Sequence, residues 1–208
     1  MSDPRFICRA SPYDPETRKK RARISGGQME PAPQGQSDPR FIAMGGDELL
    51  REFPEGASVA PYTEFARMEV LPVLPLFLLY ELEPGFGHWV LLHEAVDRDG
   101  APCLEFFDSY GLFPDHQQEW VPPAFRKISG QDAPHMLKLL ARTHGELAYS
   151  PAKLQGKDPR IATCGRHCVM RAKMSNLSAE TYGAALKAVA RMLHTTPDHL
   201  VAEAVPPS

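Results

Sequence analysis

The stretch that decides the fold is residues 76–108, LFLLYELEPGFGHWVLLHEAVDRDGAPCLEFFD. It contains three runs rich in the aliphatic and aromatic residues that β-strands favour: Leu76–Leu82, His88–Val96 and Pro102–Asp108. Turn-forming residues separate these runs, at 83–87 and 97–100. Because strands joined by such short turns pair antiparallel, the stretch predicts a three-stranded antiparallel meander.

Helical patterns flank this meander on both sides along the chain. Apolar residues recur at helical spacing in Ser178–Leu193, and Thr196-Pro197 is a cap followed by a first-turn proline. The remaining predicted elements are helices over 47–53, 61–71, 133–144 and 164–173 and a strand over 148–154. With strands grouped in the middle and helices at both ends, we expect an α+β fold with a central, mostly antiparallel sheet flanked by helices.

The chain divides into an arm and one domain. It has 208 residues, of which 43% are apolar and 24% charged, so it can build a substantial core. The first 36 residues are instead rich in Pro, Gly, Gln and Ser and contain the basic run Arg18–Arg23. Their seven basic and four acidic side chains give the arm a net charge of +3, which leaves −6 for the remainder. We therefore predict a disordered basic arm, 1–36, before a domain over 37–208.

Several classes of protein are disfavoured by what the sequence lacks. The longest apolar run, Val73–Tyr80, is interrupted by Pro75 and is far shorter than the roughly 20 residues of a membrane span. The N-terminus has no apolar core of a secretory signal, so we expect no membrane partner and no export through a signal peptide. Four cysteines are too few for a disulfide scaffold, which directs attention to catalysis or metal binding.

The residues needed for a cysteine hydrolase are present. Cys164 lies where a loop turns into a predicted helix, and helix N-terminal amides lower the pKa of a thiol. Gly165 has no Cβ, so a substrate carbonyl could approach the backbone there. His88 opens the second predicted strand and Asp108 ends the third. Because one hairpin joins these two strands, the carboxylate is expected within reach of the imidazole.

Four blocks of sequence carry a resemblance to a known family. They are Gly87-His88-Trp89, Phe106-Phe107-Asp108-Ser109-Tyr110-Gly111, Gln155 and Thr163-Cys164-Gly165. In this order the chain resembles the adenain-like cysteine proteases, which mature the particles of adenoviruses, other large DNA viruses and virophages. These share a core with the eukaryotic proteases that process SUMO and other ubiquitin-like proteins. The resemblance covers residues 62–182.

The resemblance implies a fold and a role for each site residue. The fold would have a papain-like catalytic core with its nucleophile at a helix N-terminus. Cys164 would be the nucleophile, His88 the base and Asp108 the group that orients the base. Gln155 would donate its amide to the oxyanion, together with the backbone N–H of Cys164. Trp89 would pack beside the site and form a wall of a narrow substrate groove, and no cofactor is expected.

The function implied is an endopeptidase that cleaves after small residues, at Gly-Gly or Gly-X sites. Its substrates would be viral structural precursors, and it would act in the virion or in the nucleus or cytoplasm of the host cell. One alternative is a protease that processes or deconjugates SUMO-type proteins, whose tails also end in Gly-Gly. Another is a non-catalytic module that binds Gly-Gly tails.

A metal site is the competing interpretation of the cysteines. Cys164 and Cys168 share a helix face, with His167 beside them. A structural zinc site needs four ligands, and only His88 and Cys103 are available to complete one. Since no second spaced pair exists, we predict no metal and expect Cys168 to pack inward.

Two features of the arm carry their own hypotheses. Ile24-Ser25-Gly26-Gly27 before Gln28 fits the cleavage sites of the family, which predicts self-processing after Gly27. The alternative is that a diglycine is common in flexible linkers. The run Arg18–Arg23 is typical of a nucleic-acid-binding or nuclear-localisation segment, so DNA or an activating peptide is a candidate partner. The alternative for this run is a solvated tail.

Overall fold

The fold is α+β, as the sequence predicts. The computed structural model describes residues 38–143, 147–158 and 160–206. Five strands form one sheet in chain order: β1 Ser58–Pro61, β2 Leu76–Glu83, β3 Phe86–Val96, β4 Pro102–Phe107 and β5 Ala148–Tyr149. Seven α-helices occur in these residues: α1 Gly46–Arg51, α2 Tyr62–Phe65, α3 Pro123–Ser129, α4 His135–Thr143, α5 Cys164–Lys173, α6 Ala179–Met192 and α7 Pro197–Ala204. In this part of the chain no helix is long and apolar enough to cross a membrane.

The predicted meander is present, but the sheet as a whole is mixed. Strands β2, β3 and β4 pair antiparallel, with Leu79 opposite Trp89 and Leu91 opposite Phe107. Both edge strands, β1 and β5, pair parallel to their neighbours. The prediction of a mostly antiparallel sheet holds for the three central strands, and the two parallel edge pairings were not predicted. β1 was not predicted because its four residues are too few to establish an apolar period, and β5 occupies only the first two residues of the strand predicted over 148–154.

Segments between the regular elements differ most from the prediction. The helix predicted over 61–71 ends at Phe65, and the chain continues in tighter turns in which Met68 N–H donates to the Phe65 carbonyl. Such turns also place apolar residues on one side of the chain, so the spacing of the apolar residues does not distinguish these turns from an α-helix. The Pro-rich segment after β4 contains a 3₁₀ helix, His116–Trp120, and then α3, neither of which was predicted. The predicted arm, 1–36, lies outside the described residues.

The two faces of the sheet carry separate apolar clusters. Phe77, Leu79, Trp89 and Leu91 face one side, where they meet residues of α5, α6 and α7. The alternate residues of β2 and β3 face the other side, where they meet α2 and α4. Since both faces are covered, β2 and β3 consist of almost continuous apolar residues rather than alternating polar and apolar ones. Helix α5 packs directly against β3.

A buried ion pair fixes α5 against the sheet. The Arg171 guanidinium, near the end of α5, donates from Nε and Nη2 to the two carboxylate oxygens of Glu105 on β4, at 2.8 and 2.6 Å. Arg171 also donates to the carbonyls of Met174 and Leu177, which follow the helix. Two parallel bonds restrict both distance and orientation. The pair therefore sets where the opposite end of α5, which begins with Cys164, lies on the sheet.

The turn between β2 and β3 requires a glycine directly before His88. A Cβ at Gly87 would lie 2.0 Å from the Tyr80 carbonyl oxygen, a distance that no side chain tolerates. The glycine thus lets β3 approach β2 closely at residue 87, directly before His88. The position of the imidazole follows from this backbone approach.

Candidate functional site

Three side chains that are distant in sequence meet at one end of the central strands. His88 lies near the start of β3, Asp108 directly follows β4, and Cys164 is the first residue of α5. The Nε2 atom of His88 is 3.3 Å from Oδ2 of Asp108. The imidazole is also within hydrogen-bonding reach of the Cys164 thiol. Because Nε2 faces the carboxylate, Nδ1 is the nitrogen left for the sulfur.

The electrostatics of the site favour a charged pair. Burial raises the pKa of the Cys164 thiol, but the hydrogen bond and positive charge of His88 outweigh it, and the pKa is lowered overall. The backbone N–H groups of Trp89 and Gly165 lower it further. Burial lowers the pKa of His88, yet the charges of Asp108 and Cys164 raise it to about 10. Both shifts favour a thiolate beside an imidazolium over the neutral pair, and the thiolate is the reactive form of a cysteine.

The Asp108 carboxylate is held in place by two donors. Its Oδ1 accepts from the Tyr110 backbone N–H at 2.6 Å, and its Oδ2 accepts from Gln117 Nε2 at 2.5 Å. Gln117 is fully buried and belongs to the 3₁₀ helix after β4. Sequence reasoning missed this residue because it lies in a Pro-rich segment without periodicity, and a lone glutamine there carries no chemical signal.

Aromatic rings cover the imidazole. The Trp120 ring meets the His88 ring edge-on with centroids 5.3 Å apart, and the Tyr110 ring lies 5.1 Å from it. Trp120 itself remains 43% exposed, so it separates the imidazole from solvent. The 3₁₀ helix that supplies Gln117 to Asp108 thus also supplies a cover for His88.

Gln155 is buried, and both the oxygen and the nitrogen of its carboxamide make hydrogen bonds that fix its orientation. Its Oε1 accepts from the Ser109 hydroxyl at 2.7 Å, and its Nε2 donates to the Ile161 carbonyl at 3.2 Å. The Ile161 carbonyl can only accept, so it decides which end of the amide is nitrogen. An amide nitrogen carries two hydrogens, so one remains for another acceptor.

Two predicted substrate-binding residues have other surroundings than expected. Trp89 is only 6% exposed, and its Nε1 donates to the Met44 carbonyl at 2.9 Å. A Cβ on Gly165 would lie 3.1 Å from Met44 Cβ and 3.4 Å from the Trp89 ring. The indole therefore packs in the core, and the glycine leaves room for it where α5 packs on β3. The substrate-binding roles of both residues stay predictions.

The remaining cysteines and histidines near Cys164 have other partners. Cys168 is fully buried, and its Sγ is 3.6 Å from the Trp89 carbonyl, which confirms that it packs inward. His167 Nε2 lies 3.1 Å from Asp198 Oδ1. Within the described ranges, no group of three or more His, Cys, Asp or Glu could hold a metal ion. Gly27 and Gln28, the predicted self-cleavage site, lie outside those ranges.

Comparisons with known proteins give one similarity. No protein-family model matches the sequence, and no solved structure matches it. The chain is similar to the uncharacterized protein V9 of Sputnik virophage, with 29% identity over 165 residues. The similar region covers 77% of this chain and 92% of the virophage protein.

Replacing Gln117 by leucine tests how Asp108 is held. Gln117→Leu removes a donor to a buried carboxylate, so we expect a stability loss of about 1–3 kcal/mol. We also expect the reactivity that Cys164 gains from His88, measured as the rate of Cys164 alkylation, to fall about 10–100-fold in the folded protein, because a poorly oriented imidazole loses its alignment. Gln118→Leu is the matched control, since this buried neighbour bonds to Tyr62 and Ala133 instead. Equal alkylation rates in the two variants would contradict the role of Gln117.

Proposed function

We propose that the protein is a cysteine endopeptidase that cleaves after small residues, at Gly-Gly or Gly-X sites, in viral structural precursors. The observation that carries the proposal is the convergence of Cys164, His88 and Asp108 from a helix N-terminus and two strand ends. A lowered thiol pKa beside a raised imidazole pKa is what a nucleophilic cysteine requires. A cysteine that only packs in the core does not require a neighbouring imidazole and carboxylate.

The mechanism follows from the order of the groups. His88 accepts the proton of Cys164, and the thiolate attacks the scissile carbonyl carbon to give a tetrahedral oxyanion. The imidazolium then donates its proton to the departing amine as the C–N bond breaks, which leaves a thioester on Cys164. His88 next takes a proton from water, the resulting hydroxide attacks the thioester, and the carboxylic acid leaves as the thiol is restored. Asp108 stabilises the imidazolium throughout.

The oxyanion is proposed to bind the Gln155 amide and the Cys164 backbone N–H. The fixed orientation of the carboxamide between Ser109 and Ile161 supports this role, because a donor that is already oriented needs no rearrangement during the reaction. One amide hydrogen is left over for the oxyanion. The position of Cys164 at the first turn of α5 also supports a papain-like catalytic core, in which the helix N-terminus stabilises negative charge.

The groove is proposed to be narrow beside His88. Trp120 rather than Trp89 supplies the exposed aromatic surface there, and with Tyr110 it leaves little space over the imidazole. Such a groove favours residues without side chains before the scissile bond. A viral substrate is supported by the similarity to a virophage protein.

The test is cleavage of defined substrates by the purified full chain. We expect hydrolysis of a capsid-derived peptide after Gly-Gly, with an intact SUMO-type precursor as the competing substrate. Cys164→Ala is the control, since it removes the sulfur and leaves the fold. Preferred cleavage of the SUMO-type precursor would reassign the substrate. The absence of any Cys164-dependent cleavage would refute the enzyme.

Self-processing of the arm is a separate prediction. The wild-type chain should lose residues 1–27 on incubation, because Gly26-Gly27 has the form of a substrate site. Intact-mass spectrometry of wild type and Cys164→Ala, prepared in parallel, measures this. An N-terminus that is the same in both proteins would exclude self-processing without affecting the site itself.

A further inference from the structure

A buried carboxylate on α7 joins two segments that flank the site. Asp198 is 2% exposed and lies in the first turn of α7. Its Oδ1 accepts from the Thr163 hydroxyl at 2.5 Å and lies 3.1 Å from His167 Nε2. Its Oδ2 accepts from the Gly156 backbone N–H at 2.8 Å. The carboxylate therefore uses both oxygens to hold groups from outside its own helix.

The groups that Asp198 holds adjoin the two proposed oxyanion donors. Gly156 directly follows Gln155, and Thr163 directly precedes Cys164. Between them the chain makes a surface excursion, in which Lys157 and Arg160 are exposed. The Gln155 side chain also bonds across this loop, to the Ile161 carbonyl. The Asp198 carboxylate adds a link between the backbone N–H of Gly156 and the Thr163 hydroxyl, and so restricts the spacing of the two ends of the loop.

Docking of α7 on the rest of the described fold does not depend on Asp198 alone. The C-terminal helix is already packed by Val201 and Val205 in the core beside α5. Arg166 also fastens it, because the guanidinium Nε donates to the Val205 carbonyl at 3.0 Å. A carboxylate with both oxygens bonded across the base of the loop is thus additional to what docks the helix.

We propose that Asp198 is a positioning residue that sets the distance between the Gln155 amide and the Cys164 backbone N–H. The inference rests on the proposed function, because it concerns the oxyanion donors of that reaction. Asp198 touches no reacting atom and acts through Gly156 and Thr163. It should therefore affect the steps that form an oxyanion and leave the thiolate unchanged.

Two reactions of the same cysteine separate these effects. Hydrolysis of a Gly-Gly peptide passes through an oxyanion, whereas alkylation of Cys164 by iodoacetamide needs only the thiolate. In Asp198→Asn one carboxylate oxygen becomes an NH2 group that cannot accept, so either the hydrogen bond from the Gly156 N–H is lost or the hydrogen bond with the Thr163 hydroxyl must reverse its direction. We expect kcat to fall about 10–100-fold from the misplaced donors. The alkylation rate and its pH profile should stay as in the wild type.

Matched variants distinguish a local effect on the oxyanion donors from a general loss of structure. Asp115→Asn is the control, because Asp115 is also buried and accepts from Tyr62, Tyr80 and Leu137, on the sheet face away from α5. Its hydrolysis and alkylation should change together, because Asp115 begins the 3₁₀ helix that supplies Gln117 and Trp120. Thr163→Val removes one bond to Asp198 and should lower kcat, whereas Thr163→Ser keeps the hydroxyl and should restore it.

The outcomes are distinguishable. A fall in kcat with unchanged alkylation in Asp198→Asn supports the inference. Parallel loss of both reactions, or an unchanged kcat in both Asp198→Asn and Thr163→Val, overturns it while the wild type remains active. If the wild type hydrolyses no peptide, the proposed function fails and this inference fails with it.

Discussion

Replacing His88 by alanine is expected to lower peptide hydrolysis by about 10⁴-fold, the upper range for loss of a general base. Two effects combine. Without the imidazole, no group remains to transfer protons among the Cys164 sulfur, the departing amine and water. In addition, Cys164 loses the hydrogen bond and the positive charge that outweigh its burial, so the pKa of its thiol rises and less thiolate is present at neutral pH. Hydrolysis and the rate of Cys164 alkylation at pH 7 should therefore both fall.

The matched control for this variant is His93→Ala. His93 lies on the same strand, is 2% exposed and faces Glu105 rather than Cys164. Its removal costs packing and a buried polar partner, so the control reports the cost of removing a β3 histidine. The folded control should hydrolyse peptide and alkylate as the wild type does. If His93→Ala loses as much activity as His88→Ala, His88 has no special role.

Replacing Asp108 by asparagine is expected to lower hydrolysis by about 10²–10⁴-fold, because the imidazolium loses its counter-charge and its orientation. The variant also shifts the pH dependence. Burial lowers the pKa of His88, and Asp108 is the strongest of the influences that raise it. Without the carboxylate, the pKa of His88 falls.

The direction of the pH shift follows from the protonation states. The active pair exists above the lowered pKa of Cys164 and below the raised pKa of His88, near 10. Wild-type hydrolysis should thus fall on the alkaline side as the imidazolium loses its proton. In Asp108→Asn that alkaline fall should occur at lower pH. A pH–rate profile of kcat/KM for both proteins measures it.

Glu105→Gln is the control for the Asp108 variant. Glu105 is a fully buried carboxylate on β4, three residues before Asp108, and it pairs with Arg171. Neutralising it weakens a buried ion pair and lowers stability. The alkaline limb of hydrolysis should nevertheless stay where it is in the wild type. A shift of equal size in both variants would mean that the pH profile reports folding rather than His88.

The central strands and the convergence of Cys164, His88 and Asp108 could be predicted because each carries a local signal. The apolar runs and their turns define β2, β3 and β4, and one hairpin brings His88 and Asp108 together whatever the rest of the chain does. Helix α5 was predicted with the bounds that the structure has, since Thr163-Cys164-Gly165 marks its start.

The supporting residues could not be predicted because their roles exist only in three dimensions. Gln117 reaches Asp108 from a 3₁₀ helix in a Pro-rich segment, and Asp198 reaches Gly156 from the C-terminal helix. Trp89 was assigned to the groove because it adjoins His88 in sequence. In a strand, however, successive side chains point to opposite faces, and that alternation places the indole in the core.

The most direct test compares the reactivities of the cysteines within one protein. Cys103 is half-buried with a pKa raised mainly by burial, whereas Cys164 is 6% exposed with a lowered pKa. If exposure alone decided the reactivity, Cys103 would react faster than Cys164. If Cys164 is a catalytic thiolate, it reacts faster despite its burial. The measurement is labelling at neutral pH with a Gly-Gly vinyl-sulfone probe, followed by peptide mapping of wild type and Cys164→Ala. The account predicts a wild-type adduct at Cys164 well before Cys103, and no comparable adduct in Cys164→Ala. Labelling of Cys103 while Cys164 stays free would contradict it.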